Sequence, residues 1–186
     1  MRTIYTDGSC LGNPWPWWWA VIIKNEEWKM KNEKWDTICE QEVILSWGEK
    51  LTTNNVMELT AAIQALQWLW EHYSGKVWQW TEADVQDWFF ASVQEIPSVL
   101  STDPVVITTD SSYVKLGITE WMVTRKRRQW RRAKGGKLVE NVALWKQLDI
   151  LTQYFPNLTR ARTKAHVGTE LNERVDQLAR KMAEQQ

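Results

Sequence analysis

Two cysteines, two histidines and eight glycines in 186 residues leave little raw material for several kinds of chemistry. Cys10 and Cys39 form no C-x-x-C pair, which argues against both a disulfide framework and a structural zinc site. No apolar run is long enough to span a bilayer, and Met1 is followed at once by the strand-like Arg2-Thr3-Ile4-Tyr5-Thr6. The expectation is a protein with no signal peptide and no membrane contact, working as a monomer in the reducing cytoplasm. Net charge is also lacking: 23 basic residues balance 23 acidic ones. A global pull on nucleic acid is therefore not implied, and any basic surface has to be local. Tryptophan is abundant instead, with 15 copies against 8 glycines. Hydrophobic content of 44% is enough for one compact core.

The pattern along the chain alternates strands and helices. Residues 2–7, Trp19–Lys24 and Thr37–Trp47 read as three strands, with a polar hairpin around Asn25–Trp35. Asn54 to Tyr73 is an amphipathic helix on which Met57, Ala61, Leu66 and Leu69 recur near a 3.6-residue period. Pro104–Thr109 is a continuous apolar run of the buried-strand type. Ser111–Gly117 and Asn141–Phe155 follow as helices, Asn157–Lys164 as a fifth strand and Glu170–Glu184 as a terminal helix. That order predicts a mixed α/β fold, a five-stranded sheet flanked by helices. Residues 1–186 form a single domain in this reading. Residues 76–103 are a helical insertion, with Val85, Trp88, Phe89, Val93 and Ile96 on one helical face.

Four acidic residues stand at the ends of apolar runs or on helical faces, where solubility does not call for them: Asp7, Glu58, Asp110 and Asp176. Convergent carboxylates are the ligand set of hard divalent cations, and a pair of such cations serves phosphodiester cleavage.

Their surroundings carry a resemblance. Tyr5-Thr6-Asp7-Gly8-Ser9-Cys10-Leu11-Gly12-Asn13-Pro14, Leu51–Leu59, Thr108–Val114 and Lys164-Ala165-His166-Val167-Gly168 leading to Asn172–Asp176 occur in this order. Together they make the chain similar to type 1 ribonuclease H, from Thr3 to about Ala183. The resemblance implies a ribonuclease H-like fold. It also implies an endoribonuclease that hydrolyses the RNA strand of RNA–DNA hybrids, leaving 5′-phosphate and 3′-hydroxyl ends. Asp7, Glu58, Asp110 and Asp176 are then the catalytic carboxylates and hold two Mg²⁺ ions, with Mn²⁺ a substitute. His166, in a glycine-containing turn, assists proton transfer or product release. A catalytically weakened hybrid-binding protein of the same fold is the alternative.

Hybrid recognition needs groups that sense 2′-hydroxyls. The candidates flank the carboxylates: Gly8, Ser9, Cys10, Asn13, Asn54, Asn55 and Ser111, with Thr53 at a position that holds a DNA-strand phosphate in the resembled family. Asn54 and Asn55 have a second use as helix caps. The charge run Arg125-Lys126-Arg127-Arg128-Gln129-Trp130-Arg131-Arg132-Ala133-Lys134-Gly135-Gly136-Lys137, with Trp121 and Trp130 interleaved, resembles the basic protrusion of family members, which places Arg125, Lys126, Arg127, Arg128 and Trp130 among the substrate contacts. The chain departs from the family at Trp15, Trp17, Trp18 and Trp47, where glycine is usual, and at Arg125, Arg160 and Arg162, where an aromatic is usual. Tryptophan at glycine positions is expected to cost stability.

Overall fold

The computed structural model describes residues 1–10, 17–31, 34–49, 52–78, 100, 102–162 and 170–184. Five strands form one sheet: β1 (Arg2–Cys10), β2 (Trp17–Lys31), β3 (Lys34–Glu49), β4 (Val105–Thr109) and β5 (Leu158–Arg162), in the spatial order β3-β2-β1-β4-β5. β1–β2 and β2–β3 pair antiparallel, whereas β4 pairs parallel with both β1 and β5. The helices are α1 (Asn54–Ser74), α2 (Ser112–Leu116), α3 (Met122–Arg127), α4 (Val142–Thr152) and α5 (Glu170–Glu184). A π turn, Gly117–Trp121, joins α2 to α3.

Both faces of the sheet are covered, which explains why the centre of β2 is apolar without alternation. Trp19, Val21 and Ile23 join the main core with α1, while Ala20 and Ile22 point the other way, onto Val175 and Ala179 of α5. The expected polar hairpin around Asn25–Trp35 is present, and its strands run longer than Trp19–Lys24 and Thr37–Trp47. β2 and β3 stay paired as far as Lys31 and Lys34, with a register shift at Glu27/Trp28. The ladder sets Lys24 opposite Glu42 and Lys29 opposite Asp36, so the strands continue through this polar stretch. The expected inserted helix falls mostly on residues outside those described; Trp78 at its start packs edge-on against Trp70 at 4.8 Å.

Tryptophans at family glycine positions have uneven consequences. Trp18 lies directly opposite Gly48, and a Cβ on that glycine would meet the indole at 2.4 Å, so the missing side chain on β3 makes room for the extra one on β2. Trp47 is 67% exposed and finds no such niche. Trp15 and the side chain of Trp17 are outside the described residues, as are the side chains of Arg160 and Arg162.

The helix expected to stop at Gly117 continues through the π turn into α3. Gly117 is required there by space: a Cβ would come within 1.8 Å of Trp145, which is fully buried and donates its indole N–H to Tyr113 Oη at 3.1 Å. Gly117→Ala is expected to cost about 3 kcal/mol, read as a fall of roughly 6–12 °C in Tm. A wild-type melting temperature would show that Trp145 can move aside.

Candidate active site

Asp7 is placed by the parallel pairing of β1 with β4, which sets the carboxyl ends of both strands side by side. Thr6 pairs with Thr109, so Asp7 and Asp110 leave adjacent strands at the same level. Glu58 enters from the second turn of α1. Thr53 caps that helix, its Oγ1 accepting from Val56 N at 3.4 Å. Neither Asn54 nor Asn55 is therefore the cap. Asn54 is exposed and Asn55 half-buried at the mouth of the site.

Ligand oxygens of Asp7, Glu58 and Asp110 all lie within 4.8 Å of one another. Asp7 and Glu58 are 7% and 3% exposed, and Asp110 is half-buried. Gly8 permits the approach. A Cβ on it would stand 3.2 Å from both Glu58 N and Met57 Cβ, and its own N–H donates to Asp7 Oδ1 at 2.9 Å. Gly8→Ala should displace Glu58 by a few tenths of an ångström and lower turnover about tenfold, with little change in Tm. Wild-type kinetics in this variant would contradict that close contact as a determinant of the site.

The fourth carboxylate, Asp176 of α5, sits beside Asp7 as a hydrogen-bonding and repelling neighbour. It is outside the compact trio and accepts from Arg180 Nε at 2.9 Å, one helical turn on. Spacing of i,i+4 was the available signal for Arg180, which the sequence reading passed over. Burial, then the charges of Asp110 and Asp176, raise the Asp7 carboxyl to about 8, partly offset by the Gly8 N–H. Burial, with Asp7 and Asp110 nearby, also pushes Glu58 well above the usual carboxylate range. Glu58 Oε2 is buried without a hydrogen-bond partner.

An orphaned hard oxygen and mutual repulsion among buried carboxylates are the marks of a site shaped for a divalent cation. The trio fits such an ion by donor type and by spacing.

The remaining candidates are distributed unevenly. Ser111 caps α2, its Oγ accepting from Val114 N at 3.3 Å, next to Asp110. The backbone of Ser9 and Cys10 extends β1 past Asp7, pairing with Trp18 and Trp17. Asn13 and His166 are outside the described residues. In the basic segment, Trp130 is 1% exposed and belongs to the core rather than to a stacking surface. Lys126 Nζ is 2.8 Å from Asp149 Oδ2, a buried carboxylate of α4, so it serves first as an internal ion pair. Arg127 and Arg128 are exposed, and Arg125 is half-buried. Arg131 and Arg132, on the same run, were not singled out in the sequence. His72, in the last turn of α1, stacks on Trp68 at 4.8 Å.

Known proteins align with this geometry over almost the whole chain. The RNase H family profile matches residues 1–81 and 81–184. Ribonuclease H of Pectobacterium atrosepticum is 37% identical over 181 residues, covering 97% of this chain and 88% of its own. Ribonuclease H of Ruegeria pomeroyi is 38% identical over 176 residues, covering 95% of this chain and 88% of its own. The crystal structure of LC9-RNase H1, a type 1 RNase H with the type 2 active-site motif, superposes with a TM-score of 0.61 at 26% identity, covering all of this chain and 72% of that one. The chain belongs to the ribonuclease H family of nucleases, and its sheet and helices are those of the RNase H fold. Among the described residues no helix is long and apolar enough to cross a membrane.

Proposed function

We propose that the protein is a cytoplasmic endoribonuclease acting as a single-domain monomer on RNA–DNA hybrids, cutting the RNA strand to 5′-phosphate and 3′-hydroxyl ends. The observation that carries this reading is the convergence of Asp7, Glu58 and Asp110 within 4.8 Å in a chain of this family. Those three, joined by Asp176, are the residues that would hold two Mg²⁺ ions, with Mn²⁺ as substitute. Bound there, the ions supply the positive charge that makes water a better nucleophile and stabilises the leaving 3′ oxygen.

The chain's own groups do the rest. Gly8 N–H orients Asp7, and Arg180 orients Asp176. Burial of Asp7 and Glu58 keeps bulk water from competing for their oxygens. Thr53 caps the helix that carries Glu58, with Asn54 and Asn55 following it, and the backbone of Gly8, Ser9 and Cys10 continues β1 past Asp7; these groups would read the 2′-hydroxyl face of the RNA strand. Ser111, next to Asp110, and Asn13 are the remaining candidates for these contacts. Arg127 and Arg128, with Arg125, Lys126 and Trp130 supporting them, meet the backbone phosphates. His166 takes part in proton transfer or product release.

A labelled hybrid tests this, incubated with Mg²⁺ and with chelator, beside duplex RNA and duplex DNA. Cation-dependent cuts confined to the RNA of the hybrid are expected. Salt-sensitive binding with no cuts would instead mark a hybrid-binding protein, and cutting of duplex DNA alone would mark a nuclease of different specificity.

A further inference from the structure

A second concave site lies outside the carboxylate cluster. It is a cavity of about 360 Å³ between α2, α3 and the loop that follows α3. Four arginines line it, Arg125, Arg128, Arg131 and Arg132, with Glu140 the lone carboxylate. Glu140 is ion-paired with Arg132. Arg128 and Arg131 donate only to main-chain carbonyls, those of Arg132 at 3.3 Å and Gly136 at 2.8 Å. Among the described residues, then, three of the four guanidiniums have no carboxylate partner.

Arg125 is held more firmly than a surface cation. Its guanidinium lies over Trp121 at 4.6 Å and faces Trp145 at 5.6 Å, and its Nη1 is buried with no acceptor. Tyr113 forms a further wall. Its Oη accepts from Asn141 Nδ2 at 3.3 Å and from Trp145 Nε1 at 3.1 Å, which leaves the phenol hydrogen free to donate.

The loop is preformed. Trp130 is buried, its N–H donates to Arg125 O at 2.7 Å, and Val139 N donates back to Trp130 O at 2.8 Å. Gln129 and Trp130 both take left-handed backbone angles, φ 50° and 59°, a conformation that costs most residues about 1 kcal/mol each. The strained turn is thus tied down by a buried indole, and it keeps Arg128 and Arg131 on the cavity wall.

Crowded like charges in a preformed cavity repel one another until an anion arrives. Four guanidiniums against one carboxylate favour a dianion over a monoanion. We propose that this cavity is a binding site for a phosphomonoester dianion, borne either by a free nucleotide or by the terminus of a nucleic-acid strand. Internal phosphodiesters carry a single charge and match the cavity less well. Arg125 and Arg128 are shared with the proposed hybrid contacts, but monoester binding at this cavity needs neither hybrid nor cleavage.

Adenosine 5′-monophosphate titrated into the full chain, without divalent cation or hybrid, reads the site by calorimetry. Saturable binding is expected, with dimethyl phosphate at least about tenfold weaker. Arg128→Gln and Arg131→Gln should each weaken the monophosphate by about tenfold. Wild-type protein gives an independent check should those variants misfold. The second phosphate ionisation lies near 6, so affinity should fall about tenfold from pH 7 to pH 5 as the dianion disappears. Glu140 and Tyr113 are the other titratable groups facing the cavity. Protonating Glu140 would strengthen anion binding, so a fall on acidification belongs to the ligand.

A 5′-phosphorylated oligonucleotide that competes better than the nucleotide assigns the source to a strand end; weaker competition assigns it to free nucleotide. Absence of saturable binding up to about 10 mM, or equal affinity for dimethyl phosphate, would overturn the assignment even if the hybrid is cleaved. Monophosphate binding without any hybrid cleavage would uphold it while removing the proposed function.

Discussion

Asp7→Asn and Asp110→Asn should each lower cation-dependent cleavage of a hybrid by at least about a thousandfold, roughly 4 kcal/mol of transition-state stabilisation. Hybrid affinity should stay within about tenfold of wild type, about 1.4 kcal/mol. The two readouts separate because these carboxylates are not among the proposed phosphate contacts. Asp7 is 7% exposed at the carboxyl end of β1, whereas Arg127 and Arg128 are on the surface. Asparagine keeps the shape of the side chain and removes its charge, so a loss of turnover reports the missing ligand oxygen and not a collapsed strand. Single-turnover cleavage and equilibrium binding in chelator measure the pair of effects. Retained turnover in both variants would remove these carboxylates from the chemistry.

The second large effect is on stability. Asp7 titrates near 8 in the folded protein, against an ordinary value of 3.8. A folded-state value above the unfolded one means that the native protein binds more protons through this window. Stability of the cation-free protein therefore falls as pH rises from about 4 to about 8. Glu58 shifts in the same direction and adds to the slope. Because the charges are shared among neighbours, the loss is expected to be on the order of 2–4 kcal/mol, short of the sum of the separate shifts.

Two consequences can be measured by denaturant unfolding in chelator. Asp7→Asn should be more stable than wild type at pH 8, while the difference closes toward about pH 4. Adding Mg²⁺ or Mn²⁺ should stabilise wild type most at pH 8, releasing protons as it binds. A flat pH profile, or an asparagine variant less stable than wild type at pH 8, would contradict the strained cluster.

How far the sequence announced this arrangement depends on the length scale of each interaction. β1, β4 and α1 are legible because their apolar residues repeat locally, and the carboxylates lie just past those runs. The length of the strands in the hairpin around Asn25–Trp35 is not legible locally because their pairing is made across strands: Lys29 stands opposite Asp36 only once the ladder is in register. Trp18 looked costly for the same reason, since its accommodating partner, Gly48, is thirty residues away in the chain and adjacent in the sheet.

The basic segment shows the limit most clearly. Lys126 reads as a phosphate contact until Asp149, remote in sequence, proves to be its partner. Trp130 reads as a substrate contact, and the folded turn buries it. Charge runs reveal composition, and only the folded turn divides them into internal ties and free cations.

The central claim, that Asp7, Glu58 and Asp110 jointly hold divalent cation, is tested most directly by anomalous diffraction from crystals of the protein soaked in Mn²⁺. The account predicts a peak with carboxylate oxygens of all three residues at about 2.0–2.2 Å. A fully soaked crystal with no peak among them, or with manganese bound only elsewhere, would contradict it.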